Sequence, residues 1–159
     1  MVHQKVNRKE SQLEVSKVIQ TRSIDINKGD YSHPNNRSRL VGKEFNTGEM
    51  DGIFAGTPPL EAMRCLIHEA ATVRGTGDYD KVVMVNDVAR AFFEAPAVRQ
   101  VCVELPEEDL TQADRVADNV GNLRMSLYGT RDAAMNWQEE VAREMNKWGF
   151  RKGRYNPCL

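Results

Sequence analysis

Apolar and polar residues alternate over residues 22–26, and a turn-forming stretch of Asn, Lys, Gly and Asp follows at 27–30. A period of two is typical of a half-buried strand, so this pattern predicts a hairpin whose return strand includes residues 37–43. Residues 44–57 are rich in Gly, Thr and Asp and indicate a loop. Residues 1–20 are polar with little periodicity, and we expect them to form a tail.

Two segments show the spacing of three and four residues that is typical of an amphipathic helix. The first of these segments is residues 58–73. It starts at Pro58 and Pro59, because a proline in the first turn of a helix loses no hydrogen bond. The second would begin at Asp132 and end at Gly149. This helix would place Trp137 and Trp148 on one face. Tryptophan on such a face more often packs in the core than binds a ligand.

The remaining segments suggest strands and short connections. A continuous apolar run at residues 81–86 favours a central strand covered on both faces. Residues 100–105 alternate as a second strand, and residues 122–128 are expected to be extended. Residues 89–95 favour a short helix, and residues 106–119 indicate an acidic loop.

Length and composition fit one soluble domain. The chain has 159 residues, of which 40% are hydrophobic and 28% are charged. We therefore expect one α+β domain over residues 21–159. No apolar run could span a bilayer and no signal peptide is visible, so we expect no membrane contact and an intracellular location, in the cytoplasm or nucleus.

Charge is segregated along the chain. Residues 1–43 carry nine Lys and Arg against four Asp and Glu, residues 44–140 carry eight against eighteen, and residues 141–159 carry five against one. Basic ends around an acidic middle would suit a protein that binds a polyanion with its ends and metal ions in the middle. Solvated surface is the more frequent meaning of such a pattern.

Asp87 follows the predicted central strand directly. A carboxylate at a strand end is a recurring ligand for Mg²⁺, although an aspartate that caps a turn or helix is more frequent at such a position. The sequence contains no phosphate loop, no nucleophile elbow and no H-E-x-x-H motif. It therefore gives no support to the interpretation that the protein is a hydrolase.

Five segments carry short motifs in a fixed order. They are R-S-R-L-V-G-K at 37–43, V-N-D-V-A-R-A-F at 85–92, Q-V-C-V-E-L-P at 100–106, S-L-Y-G-T-R-D-A-A-M-N-W at 126–137 and N-P-C-L at 156–159. Together they resemble the reverse transcriptases of copia-type (Ty1-like) LTR retrotransposons, whose motifs include D-V-x-x-A-F and S-L-Y-G-L-K-Q. The resemblance covers about residues 21–159.

The resemblance implies a partial right-hand polymerase, with the fingers and part of the palm. It implies an RNA-directed DNA polymerase that uses an RNA template, a DNA primer and dNTPs, with two Mg²⁺ ions at the site of nucleotidyl transfer. The other domains of a retrotransposon polyprotein would be possible partners.

The same resemblance gives roles to individual residues. Asp87 would be a catalytic metal ligand, and the backbone carbonyl of Val88 would supply another oxygen. Phe92 would lie under the incoming sugar, where its ring leaves no room for a 2′ hydroxyl. Without the resemblance, Phe92 would be assigned to the core.

Three basic residues alternate along the second strand of the predicted hairpin. Arg37, Arg39 and Lys43 would point to one side and could bind triphosphate or template backbone. The alternative is a charged strand edge that discourages aggregation.

The motif at 126–137 would contribute Tyr128 and Gly129 near the nascent base pair, the glycine allowing close approach of the backbone. Arg131, which keeps the charge of the lysine that is usual in the family, would be a further nucleotide-binding residue. Asp132 stands where glutamine is usual and Ala134 where proline is usual, which puts the contacts of this loop in doubt.

The family's other two metal-binding aspartates belong to a Y-x-D-D hairpin further along, and this sequence has no adjacent pair of aspartates. We expect that the chain stops before that hairpin and that, alone, it binds Mg²⁺ weakly and does not polymerise. The alternative is a decayed or co-opted remnant that binds nucleic acid or a protein partner without catalysis.

Overall fold

The computed structural model describes residues 2–14, 18–45, 48, 55–72 and 82–153. Within these ranges the chain is a mixed α+β protein with a four-stranded sheet, a separate two-stranded hairpin and four α-helices. The predicted α+β class is confirmed at this level.

The two sheets differ in size and in connection. The strands are β1 (His3–Asn7), β2 (Val18–Ile19), β3 (Thr21–Asn27), β4 (Asn36–Gly42), β5 (Cys102–Val103) and β6 (Asn119–Leu123). In the larger sheet the order is β1-β6-β5-β2, where β6 runs antiparallel to β1 and β5, and β2 runs parallel to β5. Strands β3 and β4 pair only with each other among the described strands, from Thr21 opposite Gly42 to Asn27 opposite Asn36.

The described residues also form four α-helices and two short 3-10 helices. The α-helices are α1 (Arg8–Glu14), α2 (Leu60–Ala71), α3 (Gln112–Ala117) and α4 (Ala133–Lys147), and short 3-10 helices occupy Ala91–Glu94 and Glu107–Asp109. No helix in the described ranges is long and apolar enough to cross a membrane.

The core is small and belongs to the larger sheet. Its buried side chains are Ile19, Val101, Val103, Leu123 and Leu127, with Phe93 and Ala97 packed against them. The alternating pattern at 100–105 therefore identifies core residues correctly, although only Cys102–Val103 are paired as a strand.

The predicted hairpin and both predicted helices are confirmed. Strands β3 and β4 form the hairpin, α2 follows Pro59, and α4 follows Asp132. Gly149 lies just beyond α4 with φ +86°, as expected of a glycine that ends a helix. Trp148 differs from the prediction, because it is 79% exposed at the end of α4 and does not pack in the core.

The N-terminal residues are not a tail. Strand β1 is the edge of the four-stranded sheet and pairs with β6 from His3 opposite Leu123 to Asn7 opposite Asn119. The polar composition of residues 1–20 misled the prediction because an edge strand with one solvated face needs few apolar residues.

The acidic segment at residues 106–119 is not a loop throughout. It contains the 3-10 helix Glu107–Asp109, helix α3 and the start of β6. Helix α3 begins with a capping box, in which Thr111 and Asp114 exchange side-chain and backbone hydrogen bonds. The T-x-x-D spacing in the sequence is a signal that could have revealed this helix.

N-terminal His, Lys and Arg side chains contact carboxylates in and just before this acidic segment. The close contacts are His3–Asp109 at 3.0 Å, Lys5–Asp114 at 2.8 Å, Arg8–Glu104 at 2.7 Å and Arg8–Asp118 at 2.9 Å. The charge segregation of the sequence is thus used inside the fold to hold β1 and α1 against the acidic segment.

The predicted central strand at residues 81–86 is the clearest disagreement in the fold. Residues 82–88 have no regular secondary structure and are exposed, with Val82 and Val85 each 87% exposed. A buried strand needs neighbours that accept its hydrogen bonds and cover its faces, and no described strand pairs with this segment. Lys81 lies outside the described residues, as do most of the predicted loop at 44–57 and the motif at 156–159.

The N-terminal contacts predict how stability depends on acid. Hydrogen bonds from Lys5, Thr111 and Asn119 hold the pKa of the Asp114 carboxyl well below its usual range. Because the folded pKa is the lower one, this carboxylate stabilises the fold above the unfolded pKa of about 4, and the contribution is lost as the pH falls below it.

We expect Asp114→Asn to lower the thermal unfolding temperature at neutral pH and to reduce the loss of stability below about pH 4. Unfolding followed by circular dichroism from neutral to acid pH measures both effects. Asp25→Asn, which neutralises an exposed carboxylate on β3, is the matched control. Identical pH curves for the two variants would contradict this account.

Candidate functional site

Three segments that are far apart in the sequence meet beside Tyr128. The ring centroid of Phe92 is 4.6 Å from that of Tyr128, and Phe93 contacts the same ring edge-on at 5.7 Å. The guanidinium carbon of Arg39 is 5.9 Å from the Tyr128 centroid, within the range of a cation–π interaction. We call Arg39, Phe92 and Tyr128 the arginine–aromatic cluster.

Backbone hydrogen bonds bring the two aromatic segments together. Phe92 lies on the 3-10 helix Ala91–Glu94, and the chain beyond it runs beside the segment that leads to Tyr128. The N–H of Ser126 donates to the carbonyl of Ala95 at 2.8 Å, and the N–H of Ala97 donates to the carbonyl of Arg124 at 3.0 Å. Buried Ala95 and Leu127 fix both segments on the core.

The base of the β3–β4 hairpin lies on the turn at Tyr128 and Gly129. The N–H of Gly42 donates to the carbonyl of Tyr128 at 2.7 Å, and the N–H of Glu44 donates to the carbonyl of Gly129 at 3.3 Å. Gly129 has φ +81°, and a Cβ atom there would lie 2.1 Å from the carbonyl oxygen of Gly42. Glycine is therefore required at 129 both for the backbone conformation and for the close approach.

An ionic network surrounds the same turn. Arg99 donates to both carboxylate oxygens of Glu44 at 2.7 and 2.8 Å, and to Asp132 at 3.0 Å. The N–H of Arg131 also donates to Glu44, at 2.8 Å. We call Glu44, Arg99 and Asp132 the carboxylate–arginine triad.

The contacts within the triad shift the pKa values of Glu44 and Arg99. Burial raises the pKa of the Glu44 carboxyl, but the hydrogen bonds from Arg99 and from the N–H of Arg131 lower it by more, so the net pKa is below the ordinary value. The hydrogen bond to Glu44 raises the pKa of the Arg99 guanidinium above its already high value. Glu44 and Arg99 are therefore both charged at neutral pH.

Asp132 occupies a structural position in this chain. Its side chain is buried, and besides Arg99 it contacts the Nδ2 amide of Asn136, which donates to it at 3.2 Å and to the Ser126 hydroxyl at 3.1 Å. Asp132 precedes α4 as predicted, but its carboxylate forms no capping hydrogen bond with the helix.

The basic residues of the hairpin are only partly arranged as predicted. Arg37 and Arg39 lie two residues apart on β4, so both point to one face, and both are exposed. Lys43 lies just beyond the end of β4, where its N–H donates to the carbonyl of Gln20 at 2.7 Å. The prediction that all three alternate along one strand is therefore wrong for Lys43.

The predicted metal ligands are not part of the arginine–aromatic cluster. Asp87 and Val88 belong to the exposed segment 82–88. Among the described residues, no group of three or more His, Cys, Asp or Glu side chains is placed to hold a metal ion. The metal-binding role of Asp87 and Val88 stays a prediction.

Glu44 and Arg99 were not singled out by the sequence, although the structure places them at the centre of the site. They are 55 residues apart, and Arg99 is 33 residues from Asp132. Pairing across such separations leaves no periodic signal in one sequence. The only available hint is an acidic residue directly after the basic motif at 37–43.

No protein-family model, no curated protein and no solved structure matches the chain. The function of this chain is therefore inferred from the resemblance of the five motifs and from the geometry of these side chains.

The close approach at Gly129 predicts a large effect of one methyl group. Gly129→Ala should destabilise the protein by about 2–4 kcal/mol, because a left-handed alanine and an overpacked contact each add a cost. Gly149→Ala is the matched control, since Gly149 has φ +86° and nothing within 4 Å of the added Cβ. It should cost about 1 kcal/mol. Urea unfolding measures both, and equal losses would contradict the contact between the hairpin and the turn.

Proposed function

We propose that this chain is the fingers-and-palm part of an RNA-directed DNA polymerase of the copia type, and that the arginine–aromatic cluster belongs to its nucleotide site. The observation that carries the proposal is the convergence of three motifs. Residues 37–43, 85–92 and 126–137 each match a different motif of the family, and Arg39, Phe92 and Tyr128 of these segments lie in contact. A chance set of motif matches has no reason to converge.

The cluster has the chemistry that a nucleotide needs. Arg39 is an exposed cation on a face that also carries Arg37, so this face suits phosphate groups. The half-buried rings of Phe92 and Tyr128, tilted by 43° to each other, offer apolar faces for a sugar or base. In the proposed role, Phe92 excludes the 2′ hydroxyl of a ribonucleotide, and the Tyr128–Gly129 turn faces the nascent base pair.

Catalysis needs more carboxylates around Asp87 than the described residues place there. Nucleotidyl transfer in this class uses two Mg²⁺ ions, which stabilise the attacking and leaving oxygens. Asp87 and the carbonyl of Val88 are the ligands that the motif offers, but Asp87 is one exposed carboxylate and the described residues contain no metal-binding group around it. These residues do not form a two-metal site by themselves, and we propose binding without nucleotidyl transfer for this chain.

The convergence of Arg39, Phe92 and Tyr128 also favours a second candidate function, that of a remnant that binds nucleic acid and never catalyses nucleotidyl transfer. The two candidates differ in the role of Asp87. In the remnant, Asp87 would have no catalytic role even if a further polypeptide segment supplied the adjacent pair of aspartates.

Nucleic-acid binding is the first test. We expect a fluorescently labelled RNA/DNA hybrid to bind with an affinity that falls as salt rises, because phosphate contacts release counterions. Arg39→Gln should weaken binding and reduce the slope of log Kd against log salt by about one. Arg143→Gln on α4, where the arginine pairs with Glu140 and Glu144 of its own helix, is the control for loss of one charge. If the anisotropy of the labelled hybrid does not change when the protein is added, the proposal is overturned.

Primer extension is the second test. With Mg²⁺, a primed RNA template and dNTPs, we expect the 159-residue chain to incorporate no nucleotide, because it lacks an adjacent pair of aspartates. Extension products resolved on a gel measure this. Template-dependent products that disappear in Asp87→Ala would contradict the expectation and would assign catalysis to this chain.

A further inference from the structure

We propose that the carboxylate–arginine triad is a latch that fixes the β3–β4 hairpin on the Tyr128–Gly129 turn and thereby positions Arg39 for binding a polyanion. Glu44, Arg99 and Asp132 are positioning residues in this proposal and do not contact the ligand. The identity of the polyanion as nucleic acid rests on the proposed function, whereas the latch itself does not.

The hairpin needs an anchor. Strands β3 and β4 pair with no other described strand, and most of their residues are exposed. An isolated two-stranded hairpin is marginally stable in water, so its orientation depends on the contacts at its base. These contacts begin where β4 becomes buried, at Gly42.

The burial and the charges of the triad suit it to fix the hairpin at its base. The Glu44 and Asp132 side chains are only 13% and 8% exposed, whereas Arg99 is 44% exposed. Two carboxylates so close together repel each other, and the guanidinium between them offsets the repulsion. A forked guanidinium that donates two parallel hydrogen bonds to one carboxylate also fixes the angle between the two groups.

The triad connects all three segments of the arginine–aromatic cluster. Glu44 follows β4, which carries Arg39, by two residues. Arg99 lies on the chain that leaves the 3-10 helix of Phe92, and Asp132 follows the turn of Tyr128. In the proposed latch, the triad acts together with the backbone bonds of Gly42 and Glu44. On the β3 side of the base, the hydroxyl of Thr21 donates to the carbonyl of Glu104 at 2.8 Å.

The test separates positioning from charge. Glu44→Ala removes a negative charge, so electrostatics alone would strengthen binding to a polyanion. A broken latch would weaken it. We expect the Kd for the RNA/DNA hybrid to rise by about threefold or more in Glu44→Ala, although the net charge becomes more positive. Glu139→Ala, an exposed glutamate on α4, has the same change of charge and should not weaken binding.

Amide hydrogen exchange reports the latch without any ligand. In Glu44→Ala we expect protection of the Gly42 amide to fall by about tenfold or more, because its bond to Tyr128 opens when the hairpin loosens. The Leu123 amide, which donates to the carbonyl of Val101 in the core, should keep its protection. Arg99→Lys keeps the charge but not the forked geometry, and it should give an intermediate loss at Gly42.

Each result decides the proposal. Unchanged protection of Gly42 in Glu44→Ala, or tighter binding of the hybrid by Glu44→Ala, would overturn the latch. Loss of protection at Leu123 as well would mean global unfolding, and Arg99→Lys then decides by its effect at Gly42 alone. A wild-type chain that binds no hybrid would overturn the proposed function and the ligand named here, whereas exchange at Gly42 still decides whether the hairpin is latched.

Discussion

The rest of the site depends on one backbone contact, the close approach of Gly42 to the turn at Tyr128 and Gly129. The hydrogen bond of 2.7 Å from Gly42 to Tyr128 is possible only because residue 129 has a positive φ and no side chain. This contact joins a hairpin that has little burial of its own to the core of the larger sheet. The Arg39 side chain reaches Tyr128 because the strand that carries it is held there.

Two sets of ion pairs, those of the N-terminal residues and those of the carboxylate–arginine triad, differ in burial and in what they contribute to the structure. The contacts of β1 and α1 with acidic residues range from the buried carboxylate of Asp114 to the exposed one of Asp118, and the exposed pairs contribute about 0–1 kcal/mol each. The carboxylate–arginine triad has one buried and one largely buried carboxylate, so removal of its single guanidinium would leave two like charges uncompensated. The triad is proposed to fix the hairpin, whereas the N-terminal pairs hold β1 and α1 against acidic residues of the larger sheet and its connections.

Local patterns predicted the local elements and failed where a distant partner decides the outcome. The alternation at residues 22–26 and the spacing in residues 58–73 reflect hydrogen bonds within a hairpin or helix, so the sequence alone predicts them. The run at 81–86 carries the pattern of a buried strand, but burial depends on neighbours, and among the described strands it has none. Arg39, Phe92 and Tyr128 were available from motifs, whereas Glu44 and Arg99 become visible only when residues 55 positions apart are brought together.

The central claim is that three distant segments form one cluster, and nuclear Overhauser effects test it most directly. In isotopically labelled protein, the ring protons of Tyr128 should show cross-peaks to the ring of Phe92, at a centroid distance of 4.6 Å, and to the side chain of Arg39. Cross-peaks between Val6 and Val120, which are paired in the sheet, provide the internal reference. If the reference cross-peaks are present and those of Tyr128 are absent, the cluster does not form and the functional account fails with it.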